Sequence, residues 1–305
     1  MPDGPAMSTT TSRAELTGVP TRPPGRRLQG LALLAPPVLW MLFFYLAPLL
    51  ILLAYAFWSV DYLTVTREFT LENFRTVVTN DLYPRVLART VFIAALVTVI
   101  DIVLAFPIAY FLAKKVTHHR QLLLMLVIFP LWSSYLVRAF AWRTILGTNG
   151  VLNSFLEWTG ITSEPLAFLL FSKEAMVLTF AQVWLPFMIL PLFAVLDQIP
   201  NSLLEASADL GSNGWRTFRT VIFPLALPGV VAGSLSVFSL TMGDYITPTL
   251  LGGPGDQLIG KIIADNFGTA NNWPLGAALV VPLLIVIFSF LVVANRFGAL
   301  GRSAV

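Results

Sequence analysis

Six stretches of this chain reach, or nearly reach, the ~20 consecutive apolar residues that a helix needs to cross a bilayer. They are Leu31–Trp58, Thr90–Leu112, Gln121–Val137, Ala175–Leu196, Leu225–Leu250 and Leu275–Asn295. Water is absent from hydrocarbon, so every backbone N–H and C=O inside such a run must find its partner within the segment, and a helix does this. The expectation is therefore an all-α membrane protein with six transmembrane helices. The third run is the shortest and contains Pro130, while Pro36, Pro37 and Pro48 predict kinks in the first. A bundle tolerates such kinks. Only 11% of the 305 residues are charged and 56% are hydrophobic, against about 25% charged in soluble domains.

Between and before these runs the sequence is of a different kind. Residues 1–29 are rich in Pro, Gly, Ser and Thr with too little apolar surface to fold, which predicts a disordered cytoplasmic tail. The run that follows is uncharged and too long for the core of a cleavable signal. Lys and Arg concentrate on the cytoplasmic side of membrane proteins. With the N-terminus inside, that side holds Arg13, Arg22, Arg26, Arg27, Lys114, Lys115, Arg120, Arg216, Arg219, Arg296 and Arg302, most of the 19 basic residues. Six spans then bring the C-terminus back to the cytoplasm. The net charge is only +3 and the basic residues are scattered, so no nucleic-acid partner is expected. Without cysteine there is no disulfide, thiolate nucleophile or cysteine metal site, and the adjacent His118 and His119 read as a solvated turn; no metal is expected.

One polar segment stands out between the fourth and fifth runs. Pro200-Asn201-Ser202 with Glu205 three residues on predicts a capping box, and Gly211 predicts the stop of that helix. Ser212-Asn213-Gly214 then predicts a second short helix from Trp215 to Phe223, ended by Pro224. Two short helices joined by a glycine elbow form a compact knob in water. The order Glu205-Ala206-Ser207, then Gly211, then Val221-Ile222-Phe223-Pro224 resembles the EAA loop of inner-membrane permeases of binding-protein-dependent ABC importers. The family pattern is Glu-Ala-Ala, three residues, Gly, nine residues, Ile-x-Leu-Pro. This chain departs at Ser207, Val221 and Phe223, each conservative in size.

The resemblance extends from about Leu31 to the C-terminus. The strings Phe69-Thr-Leu-Glu-Asn-Phe74, Leu136-Val-Arg-Ala-Phe-Ala-Trp142, Leu185-Pro-Phe-Met-Ile-Leu-Pro-Leu192, Gly243-Asp-Tyr-Ile-Thr-Pro248 and Leu250-Leu-Gly-Gly-Pro254 are similar to the spermidine/putrescine-type branch, first permease subunit. It implies a type I ABC importer permease fold over residues 30–305, with 197–224 as the loop that couples to the ATPase through Glu205, Ala206, Ser207, Asp209, Gly211 and Pro224. It also implies a bacterial inner-membrane location and three kinds of partner: a cytoplasmic ATPase dimer, a second homologous permease subunit in a heterodimer, and an extracytoplasmic substrate-binding protein. The chain would hold no cofactor itself, since ATP and Mg²⁺ belong to the ATPase.

Two carboxylates, Asp101 and Asp244, lie within apolar runs. A charge at such depth costs on the order of 2.5–3.5 kcal/mol on insertion scales, so each should face the bundle interior. Ala94, Thr98, Asp101 and Ala105 share one small, polar helix face. An interhelical hydrogen bond and a place on the transport path both fit Asp101. Asp244 follows Gly229 and Gly233, a Gly-xxx-Gly pair suited to close helix packing. It has Tyr245 beside it and Pro248 and Gly252-Gly253-Pro254 just beyond. An ion pair plus an aromatic face suits an organic cation, with Trp184 as a further wall residue. Leu258, Ile259, Ile262, Ile263 and Phe267 predict a helix on the membrane surface, which either braces the bundle or receives the binding protein.

Three function classes compete. A permease of an ABC importer accounts for the knob, and with no Gly-x-x-x-x-Gly-Lys-Ser/Thr loop in the chain the ATPase must be a separate protein. An ion-coupled secondary transporter would use Asp101 and Asp244 but would show inverted repeats, and none is visible. An intramembrane enzyme lacks His-Glu-x-x-His, any cysteine and any histidine within a span. Polyamine cargo follows from the branch, with ferric iron, thiamine and opines carried by related branches.

Overall fold

The computed structural model describes residues 34–61, 64–166 and 169–302, so the tail expected over residues 1–29 lies outside it. Helix α1, Leu34–Tyr55, contains a π turn at Leu42–Leu46 just before Pro48. The wider turn accommodates a proline whose ring would otherwise meet the preceding carbonyl. The chain divides at Ile51 into two compact units, and all that follows belongs to the second. A small antiparallel hairpin, β1 Ser59–Asp61 and β2 Thr64–Thr66, pairs Val60 with Val65. The all-α expectation did not include it. Short α2, Glu72–Thr79, follows, and Asn73 fastens it to the chain before the hairpin by donating to the carbonyls of Ala56 and Trp58.

Three long helices form the centre. α3 runs Leu82–Lys114, α7 runs Lys173–Gln198, and α9 runs Gly214–Gly243. α7 packs along both α3 and α9, and α9 also packs on α12, Trp273–Arg302. The close approach of α7 and α9 is made by the two predicted glycines. A Cβ on Gly229 would stand 2.9 Å from Leu192 Cα, and one on Gly233 would stand 3.1 Å from Met188 Cα. Around this crossing Val97, Phe180, Met188, Leu192 and Leu196 are buried. A second apolar cluster joins Phe238 and Met242 of α9 to Leu279 of α12 and to Ile259 and Ile262. Those isoleucines lie on α11, Ile259–Phe267, the helix expected at the membrane surface.

Two spans differ from the expectation. The third, predicted as Gln121–Val137, is broken: α4 covers Arg120–Trp132, and α5, Tyr135–Leu146, leaves it at 90° before α6, Val151–Trp158. The cause is local. Pro130 has no N–H to offer, the turn tightens to 3₁₀ over Phe129–Trp132, and the Ser133 hydroxyl bonds the Pro130 carbonyl at 2.7 Å while Ser133 turns extended. At about 1.5 Å per residue α4 is roughly 20 Å long, short of the ~30 Å hydrocarbon thickness. Among the described residues five helices are long and apolar enough to cross, and six if the bent pair counts as one span. The fifth run, predicted as Leu225–Leu250, instead ends at Gly243; after Asp244 and Tyr245 the short α10, Ile246–Leu251, begins. Gly252-Gly253-Pro254 therefore closes α10 and not the long helix.

Candidate functional site

The first candidate region is the polar segment between α7 and α9. α8 covers Asn201–Asp209 and ends in a Schellman motif: Gly211 N–H donates to Ala208 O at 2.8 Å, Ser212 N–H donates to Ser207 O at 3.1 Å, and Gly211 sits at φ +75°. Asn213 then caps α9, its side-chain oxygen accepting the Arg216 N–H at 2.8 Å. Both turn signals are thus used as the sequence suggests. The capping box is not. α8 starts directly after extended Pro200, no side chain caps it, and Ser202 and Glu205 lie inside the helix. Pro200 fixes the entry and leaves neither side chain needed there. Nor does Pro224 end the second helix, because a π turn at Phe218–Ile222 widens the backbone ahead of it and α9 continues.

Glu205, Ala206 and Asp209 face solvent, whereas Ser207 is buried and its hydroxyl lies 2.9 Å from the Thr217 hydroxyl. That bond ties the two arms together, and alanine at 207 would not form it. Beside the acidic residues stand Leu203, Leu210 and Trp215, 44%, 85% and 70% exposed. None of these three was singled out from sequence, where a lone apolar residue in a polar loop carries little signal. The elbow is also fastened to the bundle. Lys114, at the end of α3, donates to the Ile199 carbonyl, and Arg120, at the start of α4, pairs with Asp197 and lies 4.8 Å from the Phe193 ring. A cation suits the unpaired carbonyls at the end of α7. Phe218 meets Phe106 of α3 edge to face at 5.1 Å.

The second region gathers where α9 breaks. Asp244 is 7% exposed, and both of its oxygens are occupied. Oδ1 accepts the Ile246 and Thr247 N–H groups at 2.7 and 3.3 Å, so from one residue ahead of the N-cap Tyr245 the Asp244 side chain caps the first two free N–H groups of α10. Oδ2 accepts the hydroxyls of Tyr135 and Thr247. Tyr135 is the first residue of α5, so one carboxylate ties the bend of the third span to the break of the fifth. The Tyr135 ring lies 5.0 Å from Trp184, which lies 5.9 Å from Phe187, and the Arg138 guanidinium stands 6.0 Å from the Tyr135 ring centre. The aromatic partner of Asp244 is therefore Tyr135 and not the neighbouring Tyr245, which is 51% exposed. Gly260 of α11 closes on the same point, since a Cβ there would stand 2.5 Å from the Asp244 carbonyl oxygen.

Asp101 is fully buried with its predicted face mates Ala94, Thr98 and Ala105, and neither of its oxygens has a hydrogen-bond partner among the described residues. It does not join the Asp244 cluster. Tyr135, and Arg138 beside its ring, carry no signal in the sequence because the bend that brings Tyr135 to Asp244 depends on how Pro130 is resolved; Thr247, three residues from Asp244, joins through the local turn into α10.

Comparison with known proteins agrees with this architecture. The family described as binding-protein-dependent transport system inner membrane component matches residues 30–300. The chain is 39% identical to the inner membrane ABC transporter permease protein YdcU of Escherichia coli (strain K12), over 88% of this chain and 89% of that one. It is 36% identical to the spermidine/putrescine transport system permease protein PotB of Escherichia coli (strain K12), over 86% and 94%. Among solved structures, a bacterial ABC transporter involved in import of the acidic polysaccharide alginate superposes with a TM-score of 0.69 at 18% identity, over 90% of this chain and 96% of that one. At that identity the last match speaks for the fold alone. With the helical order and the elbow, these matches make the chain a member of the family of inner-membrane components of binding-protein-dependent transport systems, a multi-pass permease of an ABC importer.

Proposed function

We propose that this permease imports a polyamine such as spermidine or putrescine, or a closely related small organic cation, driven by a cytoplasmic ATPase dimer that docks on the elbow 197–224. In this reading the N- and C-termini are cytoplasmic, a second homologous permease completes a heterodimer, and an extracytoplasmic binding protein delivers the cargo. The observation that carries the docking role is the combination at the elbow. A hydrogen-bonded turn holds exposed Glu205 and Asp209 beside exposed Leu203, Leu210 and Trp215. Apolar side chains of that size, rimmed by charge, suit a protein partner. The cargo reading is supported by the relative named for spermidine/putrescine transport at 36% identity and by Asp244 bonded to Tyr135, whose ring lies 5.0 Å from that of Trp184.

In this state Asp244 is satisfied by four donors, so a passing ammonium would take the place of the Tyr135 and Thr247 hydroxyls on Oδ2. Asp244→Asn keeps the Oδ1 cap and the shape but offers an amide where a cation needs a carboxylate. Hydrogen bonds to charged groups are worth about 1.5–3 kcal/mol. Spermidine or putrescine uptake per assembled complex is therefore expected to fall roughly ten- to a hundredfold, a tenfold change being about 1.4 kcal/mol. An unchanged ratio would remove Asp244 from the path. Uptake of ferric iron, thiamine or an opine in place of polyamine, measured with the cognate binding protein, would reassign the cargo.

A further inference from the structure

A groove of about 740 Å³ runs along the contact of α3 and α7. Its long wall is one row of α3: Phe92, Leu96, Ile100 and Leu104. These recur every four residues, and the row spans about 18 Å at about 1.5 Å per residue. That is close to one leaflet, half of the ~30 Å hydrocarbon thickness. Four charged residues line the groove: Arg89 near the start of α3, Lys173 and Glu174 at the start of α7, and Asp256 of the loop between α10 and α11, next to the Gly255 that Arg89 bonds. Two are cationic and two anionic.

These charges are held loosely. Lys173 and Glu174 are 3.7 Å apart with side chains 66% and 55% exposed, a pair of the kind worth little in water. Arg89 gives one donor to the Gly255 carbonyl and has others to spare. Asp256 forms no ion pair among the described residues. An apolar channel one leaflet long with both signs of charge at its mouth has the shape and polarity of a zwitterionic phospholipid. We infer that the groove is a selective site for a phospholipid with a free amine, of the phosphatidylethanolamine type. Its phosphate lies toward Arg89 and Lys173, its ammonium toward Glu174 and Asp256, and one acyl chain lies along Phe92 to Leu104. A phosphatidylglycerol headgroup would satisfy the cations but offer no ammonium to Asp256, and none to Glu174 beyond its loose pairing with Lys173. A transmembrane helix from another subunit would need to bring both signs of charge to the same level.

The test is photolabelling of the assembled transporter in vesicles, comparing trace diazirine-acyl phosphatidylethanolamine with the same probe carrying a glycerol headgroup. The inference predicts several-fold more ethanolamine probe than glycerol probe on peptides covering 89–104 and 173–181, with the preference lost in Glu174→Gln/Asp256→Asn. Leu96→Trp, which fills the channel, should lower labelling by the ethanolamine probe at these peptides. Equal labelling by both headgroups, or labelling spread evenly over the apolar surface, overturns the inference. So does a photocrosslinker at Leu178 that joins a second permease subunit in place of lipid. The comparison of probes on the unaltered protein decides the matter even if a variant fails to assemble.

Discussion

Gly211→Pro is expected to abolish ATP-driven uptake while the protein still inserts and accumulates at its normal level. Gly211 sits at φ +75°, a region closed to proline, whose ring holds φ near −65°. Proline would also remove the N–H that bonds the Ala208 carbonyl. α8 would then leave the elbow in a new direction, carrying Glu205 and Leu210 out of register with any groove shaped to receive them. A Cβ added at Gly211 meets nothing within 4 Å, so space for the first side-chain carbon is not what excludes other residues there; the positive φ is. Gly211→Asn is the matching control. Asparagine tolerates the left-handed region better than other side chains, so this variant should retain most uptake. Loss of uptake in both variants would point to the glycine hydrogen as a contact, and retention in both would remove the elbow from the transport cycle.

A second large effect is expected inside the membrane. Gly229→Leu should reduce assembled protein roughly five- to a hundredfold, measured as the permease recovered in complex from detergent. At this point α9 approaches the backbone of α7, and even a single methyl would lie 2.9 Å from both Leu192 Cα and the Pro191 carbonyl oxygen. Backbone cannot swing aside as a long side chain can, so the helices must separate. Overpacking a tight core costs about 1–3 kcal/mol, and here it falls on the crossing around which Met188 and Leu192 are buried. Gly229→Ala should give an intermediate loss. Equal recovery of all three proteins would show that the crossing is not needed for assembly.

The long helices were legible in the sequence because a bilayer demands about 20 apolar residues in a row, a signal that needs no knowledge of neighbours. The elbow was legible for a similar reason: Gly211 and Asn213 act through their own backbone and side-chain bonding. What was not legible depended on competition between local choices. Pro130 and Pro224 are the same residue type near the end of an apolar segment, yet one precedes a 90° bend and the other is absorbed by a π turn. Ser133 bonds the Pro130 carbonyl at the bend, and Phe218 packs on Phe106 at the π turn; neither contact can be read from the proline itself. The capping box fails because Pro200, whose ring offers no acceptor, occupies the N-cap of α8 and places Ser202 inside the helix. The Asp244 cluster was half legible. The buried carboxylate and Trp184 were found, but Tyr135 is 109 residues distant in sequence and enters the cluster only through the bend. No pattern of spacing would have chosen it over the adjacent Tyr245.

The central claim, that this permease is driven through the elbow, is tested most directly by its most exposed leucine. The chain has no cysteine, so Leu210→Cys creates a single thiol at a position 85% exposed. In the assembled transporter, a short thiol-directed photocrosslinker placed there should join the permease to the ATPase subunit in high yield. The yield should change when ATP is trapped, and the thiol should be reachable by impermeant reagent only from the cytoplasmic face. Cross-linking to the extracytoplasmic binding protein, or labelling of this thiol from outside, would contradict both the orientation and the coupling role.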